Sequence, residues 1–188
     1  MNIYLAGPDV FPPDSVEMGR RKVAICARHG VSGLYPLDNP VDLTVPDLSL
    51  QIFKGLEAMM ERCDAIIANL TPFRGPGADP GTVYELGYMA ARGKYCLAYS
   101  NDPAVYPDRV RRFTKVTSCD GRLVDADGLT VEDFGHHDNL MMIHALDLYG
   151  APLVLPRERP ADIWHDLTAF EVCVGMAARR RTSATRKS

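Results

Sequence analysis

The chain has 188 residues and a mass of 20.7 kDa, with 21 Lys+Arg against 24 Asp+Glu, a formal net charge of -3 and 46% hydrophobic residues; that suffices for one substantial core and hardly for two. Cysteines at 26, 63, 96, 119 and 173 form no CxxC pair, which argues against a zinc ribbon or disulfide scaffold and favours a reducing cytoplasm. MNIYLAGP does not read as a secretory signal, and every long apolar stretch is broken before membrane-spanning length, so neither secretion nor membrane insertion is expected.

In chain order, NIYLA followed by Gly7-Pro8 reads as a buried strand ending in a tight loop, and residues 14–28 as a helix closed by His29-Gly30. A weak strand near 33–37 leads into the Pro/Asp-rich loop 36–47 and a helix over about 48–62. The apolar run CDAIIANL, 63–70, has the pattern of a strand covered on both faces. Residues 71–81, with three prolines and three glycines, form a loop, and TVYELGYMAARGK a helix stopped at Gly93. A strand at 95–100 follows. Within 101–135, VYPDRVRRF suggests a short helix and TSCDGRLVDADGLTVEDFG a loop or excursion. A helix over 138–150, a short strand at 152–156 and a helix over 159–180 complete the pattern.

Strand and helix alternate, so right-handed crossovers onto a mainly parallel sheet give a compact α/β fold. Residues 1–178 are expected to form its single domain. They carry 16 basic against 24 acidic residues, whereas 179–188, RRRTSATRKS, hold five basic groups and no acid and read as a flexible basic tail. No ordered basic face suits a nucleic acid. Ligands of such folds sit beyond the C-terminal strand ends, here the loops 7–13, 37–47, 71–81 and the one after Ser100.

Several chemistries lack their motifs. There is no GxGxxG, GxxxxGK[ST] or GxSxG, and no cysteine sits in an activating context. His136-His137-Asp138 is a lone cluster without HExxH or a Cys/His array, so no metal site and no cofactor are expected. Carboxylates remain. Asp79 is placed to cap the helix starting at Pro80, a role that needs no catalysis. Glu85 lies among apolar neighbours within two turns of that helix start; it suits a nucleophile or base held by hydrogen bonds, and equally a surface glutamate on an amphipathic helix. Tyr4 is either a core residue or the hydroxyl that orients that carboxylate. Gly7, at a strand exit, permits close backbone approach. Phe11 and Phe73 in the first and third loops suit either stacking on a ligand or sealing the loops.

Together, IYLAGPDVF at 3–11, CDAIIANLTPFRGPGADPGTVYELGYMAARGK at 63–94 and DNLMM at 138–142 resemble, in the same order, the nucleoside 2-deoxyribosyltransferase family. The resemblance covers roughly residues 1–150 and its middle block is long and specific. It implies a flavodoxin-like three-layer sandwich that exchanges the base of 2′-deoxyribonucleosides, with deoxynucleosides and free nucleobases as partners. It further implies a homo-oligomer, a dimer or a larger even-numbered assembly, with shared active sites. On this resemblance the nucleophile falls on Glu85, the aspartate that handles the base proton on Asp79, and the orienting tyrosine on Tyr4. The close-approach glycine falls on Gly7, and an asparagine lent by a neighbouring subunit to the sugar hydroxyls on Asn139, beside Asp138. Some members carry a further pocket aspartate in the helix before the CDA strand; that helix here reads QIFKGLEAMMER, in which no aspartate stands. One alternative is an N-glycoside hydrolase of the same fold acting on deoxynucleosides or their 5′-monophosphates, although the first loop, GPDVFPPD, lacks the hydroxyls and positive charge a phosphate needs. The other is a noncatalytic nucleotide-binding domain.

Overall fold

The computed structural model describes residues 1–185. Four strands, β1 (Asn2–Ala6), β2 (Ser32–Leu34), β3 (Ala65–Asn69) and β4 (Tyr95–Tyr99), form an all-parallel sheet in the order β2-β1-β3-β4. The strands are linked by α1 (Ser15–Arg28), α2 (Leu48–Glu61) and α3 (Pro80–Ala91); α4 (Tyr106–Val110), α5 (Leu140–Tyr149) and α6 (Thr168–Thr185) follow. Residues 65–69, AIIAN, are buried throughout because helices cover both faces of the sheet.

The period-two alternation of the strands divides the core in two. Ile3, Leu5, Ile67, Leu97 and Tyr99 point to a layer closed by Met18 and Ile25 of α1 and by Phe170, Cys173 and Val174 of α6. Tyr4, Ala6, Ile66, Ala68 and Ala98 point to the opposite layer, closed by Met59 and Met60 of α2, Leu86 and Met89 of α3, and Met142 and Leu146 of α5. This is the mixed α/β architecture with a parallel central sheet that the sequence predicts, consistent with a flavodoxin-like sandwich. Tyr4 therefore faces α3, the helix that carries Glu85.

Three segments depart from the predicted elements. The short strand expected at 152–156 runs beside β4 but joins it only through isolated bridges at Gly150 and Val154. Pro152 and Pro156 lack the N–H groups a ladder needs, and at Gly150 a β-carbon would lie 1.5 Å from the Cys96 carbonyl oxygen. The supposed loop within 101–135 contains an antiparallel sheet of β5 (Thr117–Cys119), β6 (Arg122–Val124) and β7 (Thr130–Val131). Its first turn is Asp120-Gly121, both at positive φ, the geometry of a two-residue hairpin. The last helix starts at Thr168, not 159, because the Asp162 carboxylate turns the chain by accepting the N–H groups of Trp164 and His165. That helix runs through Thr185, past the domain end expected at 178, with Arg181 bonded to the Gly30 carbonyl. Residues 186–188 of the predicted tail lie outside the described residues. No helix among them is long and apolar enough to cross a membrane.

Candidate active site

The C-terminal edge of the sheet brings together side chains from β1, the 71–81 loop and the start of α3. Tyr4 donates its hydroxyl to Glu85 Oε1 at 2.6 Å, across 81 residues of sequence. Oε2 of Glu85 has no protein partner among the described residues. Burial raises the Glu85 pKa to about 7; the bond from Tyr4 works against this, and the neighbouring charge of Asp79 adds to it. Burial, with the Glu85 charge beside it, also pushes the Tyr4 phenol well above its ordinary range, so Tyr4 is a fixed donor.

Asp79 caps α3: its Oδ2 accepts the backbone N–H and the hydroxyl of Thr82, both at 2.9 Å. Pro80 occupies the first helical position, where no N–H is needed. Oδ1 of Asp79 has no protein partner among the described residues, so one carboxylate serves a cap and still presents a second oxygen beside Glu85.

The aromatic residues of the first and third loops meet each other. Phe11 and Phe73 stack with centroids 5.1 Å apart and planes 14° apart, and Trp164 meets Phe73 edge-on. Phe11 remains 54% exposed, so the pair joins the two loops and still leaves aromatic surface open. At Gly7 a β-carbon would stand 2.3 Å from Asp9 Oδ2 and 2.7 Å from the Asn69 β-carbon, so the closest approach there is to the protein's own side chains.

The remaining two predicted residues share no hydrogen bond with Tyr4 or Glu85 among the described residues. Asp138 is buried, with Oδ1 accepting the Asn139 N–H at 2.9 Å and Oδ2 meeting Arg109 Nη1 at 3.4 Å. Its carboxylate also takes the N–H of Ala78, which anchors the loop just before Asp79. Asn139 caps α5 through Met141 N, and its Nδ2 donates to Glu132 at 2.6 Å. It makes no hydrogen bond to Glu85, Asp79 or Tyr4.

A buried network missed in the sequence supports the loops. Lys22 of α1 and Asp9 of the first loop form an ion pair at 2.5 Å, with side chains only 1% and 2% exposed. Asn69 donates to both Asp9 oxygens at 3.2 Å and accepts the Thr71 N–H; Thr71 Oγ1 accepts the Asn101 N–H. Asn101 in turn donates to the carbonyls of Ile163 and Asp166. One polar chain thus ties the first loop, the third loop, the loop after β4 and the Trp164 turn. The sequence signal was a polar residue, Asn69, closing an otherwise apolar strand.

Known proteins share this arrangement of blocks. The profile of the nucleoside 2-deoxyribosyltransferase family matches residues 3–141. A 2-deoxyribosyltransferase from Leishmania mexicana is 32% identical, covering 92% of this chain and 96% of its own, with a TM-score of 0.62. An uncharacterized protein of Schizosaccharomyces pombe is 40% identical over 157 residues, 74% of each chain. A conserved protein from Enterococcus faecalis, 18% identical, shares the fold over 95% of this chain and 98% of its own, with a TM-score of 0.58.

Proposed function

Since the chain belongs to the nucleoside 2-deoxyribosyltransferase family, we propose that it exchanges the base of 2′-deoxyribonucleosides through a covalent deoxyribosyl ester on Glu85. The observation that carries this reading is the Tyr4–Glu85 hydrogen bond at the start of α3, with Asp79 alongside. Tyr4 holds Oε1, which leaves Oε2 to attack C1′ of the sugar. As the C–N bond to the base breaks, its electron pair leaves with the base, and the resulting charge on the sugar is oxocarbenium-like. The leaving base takes a proton from Asp79 Oδ1. In the second half, a ring nitrogen of the incoming base attacks the same carbon, Asp79 accepts its proton, and Glu85 departs as the carboxylate.

Each group suits its role. A carboxylate partly withdrawn from water is a stronger nucleophile than a fully hydrated one, and the fixed Tyr4 hydroxyl limits the orientations it samples. Asp79 carries a proton in alternate half-reactions while its other oxygen keeps the helix start in place. The exposed ring of Phe11, backed by Phe73, offers the base a stacking surface. Asn139, bonded to Glu132 and to its own helix within one protomer, is assigned to the sugar hydroxyls of a neighbouring subunit's site.

The test is incubation with a 2′-deoxynucleoside, with and without a second free base. The reading expects the exchanged nucleoside only when the second base is present, and no exchange by Glu85→Ala. Free deoxyribose alone identifies a hydrolase, and no turnover a binding domain. Undiminished exchange by Glu85→Ala removes Glu85 as the nucleophile.

A further inference from the structure

A cleft of about 280 Å³ borders the 71–81 loop. Pro72 and Arg74 of that loop, Arg109 and Arg112 at the end of α4, and Arg159 and Ile163 line it. Four arginines therefore line it, and among the described residues its wall carries one acidic residue, Asp102.

The pairing within the cleft is incomplete. Arg109 is fully buried and all its bonds are internal: to Ala104 O, Asp102 O, Ser100 Oγ and, behind the cleft, Asp138. Arg112 holds both oxygens of Asp102. Among the described residues Arg159 meets only the same carboxylate, with Nε 3.8 Å from Oδ2, beyond hydrogen-bonding distance. Arg74 has no carboxylate partner among the described residues. Its guanidinium lies 4.7 Å from the Phe73 ring centre and 5.4 Å from that of Phe11, which positions the group by cation–π attraction and leaves its in-plane N–H donors open. Four positive charges thus face two carboxylates, Asp102 and Asp138, leaving an excess of two.

The backbone at Arg74 carries a cost that packing does not explain. Its φ is +55°, in the left-handed region that a non-glycine residue seldom adopts, at the tip of a turn closed by Phe73 N–H to Gly77 O. A relaxed turn would carry glycine there. This turn instead holds an arginine over two rings, at the rim of a cleft with a second arginine, Arg159, that makes no hydrogen bond among the described residues.

We infer that this cleft binds a phosphoryl group, with Arg74 and Arg159 as its ligands and Arg112 contributing a third positive charge. A phosphomonoester carries about -1.5 to -2 charges near neutral pH, which matches the excess, and planar guanidinium forks suit its oxygens. The group has two sources, free inorganic phosphate or the phosphate of a nucleotide. This site goes beyond the base-exchange reading and does not depend on it.

The single tryptophan, Trp164, adjoins Ile163 and touches Phe73, so it reports on the cleft. Inorganic phosphate is titrated at constant ionic strength set with potassium chloride, following tryptophan fluorescence and the melting temperature; 2′-deoxyadenosine and its 5′-monophosphate are titrated in parallel. Saturable binding of phosphate is expected, weakened about tenfold or more by Arg159→Ala, the scale of one charge-assisted contact. Arg20→Ala, an exposed arginine of α1 paired with Glu17, leaves it unchanged. Base exchange with unphosphorylated deoxynucleosides is expected to survive Arg159→Ala, which separates this site from the catalytic one. If the monophosphate binds more tightly than the nucleoside and Arg159→Ala removes the difference, the nucleotide supplies the phosphoryl group; if phosphate saturates without such a difference, the free ion does. A phosphate response no larger than that of added chloride, or one unaltered by Arg159→Ala, overturns the site.

Discussion

At Glu85, burial raises the pKa to about 7 while the Tyr4 hydrogen bond pulls it down. A nucleophile must be ionised, so the exchange rate is expected to rise with pH through about 7 and to lose its nucleophile below it; a pH–rate profile checks this. Tyr4→Phe removes the downward influence, so its rising limb is expected at higher pH, with the neutral-pH rate reduced about tenfold, the scale of one hydrogen bond to a charged group. The same shift bears on stability. Because the folded chain holds this proton more tightly than the unfolded one, the stability contributed by Glu85 is full below about pH 4.5 and declines as pH rises to about 7. Glu85→Gln, which keeps an acceptor for Tyr4, is therefore expected to melt higher than the parent at about pH 8, by about 1–3 kcal/mol in stability. The gap closes near pH 4, as denaturant titrations at the two pH values would show. The pairing of Tyr4 with Glu85 was legible because the blocks around both residues resemble one family. The Asp9–Lys22 pair was not, since a lysine within SVEMGRRKVAICAR reads as one more surface charge until α6 covers it.

At the scale of elements, the start of α3 joins on one side chain, Asp79, an observed cap and a proposed proton transfer, and the two separate experimentally. Asp79→Asn retains a capping oxygen for Thr82 but cannot carry the proton; it is expected to melt like the parent while losing most base exchange. Asp79→Ala is expected to lose the exchange and about 1 kcal/mol as well. Equal melting of the two variants would remove the cap from the account. The polar chain under the loops has its own test. Lys22→Met leaves the Asp9 carboxylate buried without its ion-pair partner and is expected to cost about 3–5 kcal/mol in denaturant unfolding, whereas pairing it with Asp9→Asn recovers much of that loss. Elements with strong periodicity were readable: α1, α2, α3 and the three long strands stand within two residues of the positions the pattern gives. The segment after β4 was not, although Asp120-Gly121 and Asp127-Gly128 are hairpin-type dipeptides, because each strand beside them has only two or three residues. The last helix was placed too early because the apolar residues at 161–167 fit a helical spacing, while Asp162 draws the local N–H groups into a turn.

For the whole molecule, the proposed reading has the sugar side of the site closed by a neighbouring subunit. Ile52 and Phe53 of α2, Tyr84 of α3, and Met141 and Leu148 of α5 are exposed apolar side chains, surface suited to a second copy. If Asn139 serves a neighbouring site, mixtures of the inactive variants Glu85→Ala and Asn139→Ala are expected to regain part of the exchange activity after their subunits are allowed to swap, because one site of each hybrid is intact. No recovery would assign Asn139 to its own protomer. The acid excess of residues 1–178 also has a local complement in the arginines around Asp102, so the surface near the site is not uniformly negative. The proposed covalent bond between Glu85 and deoxyribose is read out by mass spectrometry of the intact protein after incubation with a 2′-deoxynucleoside, without an acceptor base. The expected result is the added mass of one 2-deoxyribosyl group, located on the peptide that contains Glu85 and removed by a second base. Base exchange with no such adduct, or an adduct on another residue, would contradict it.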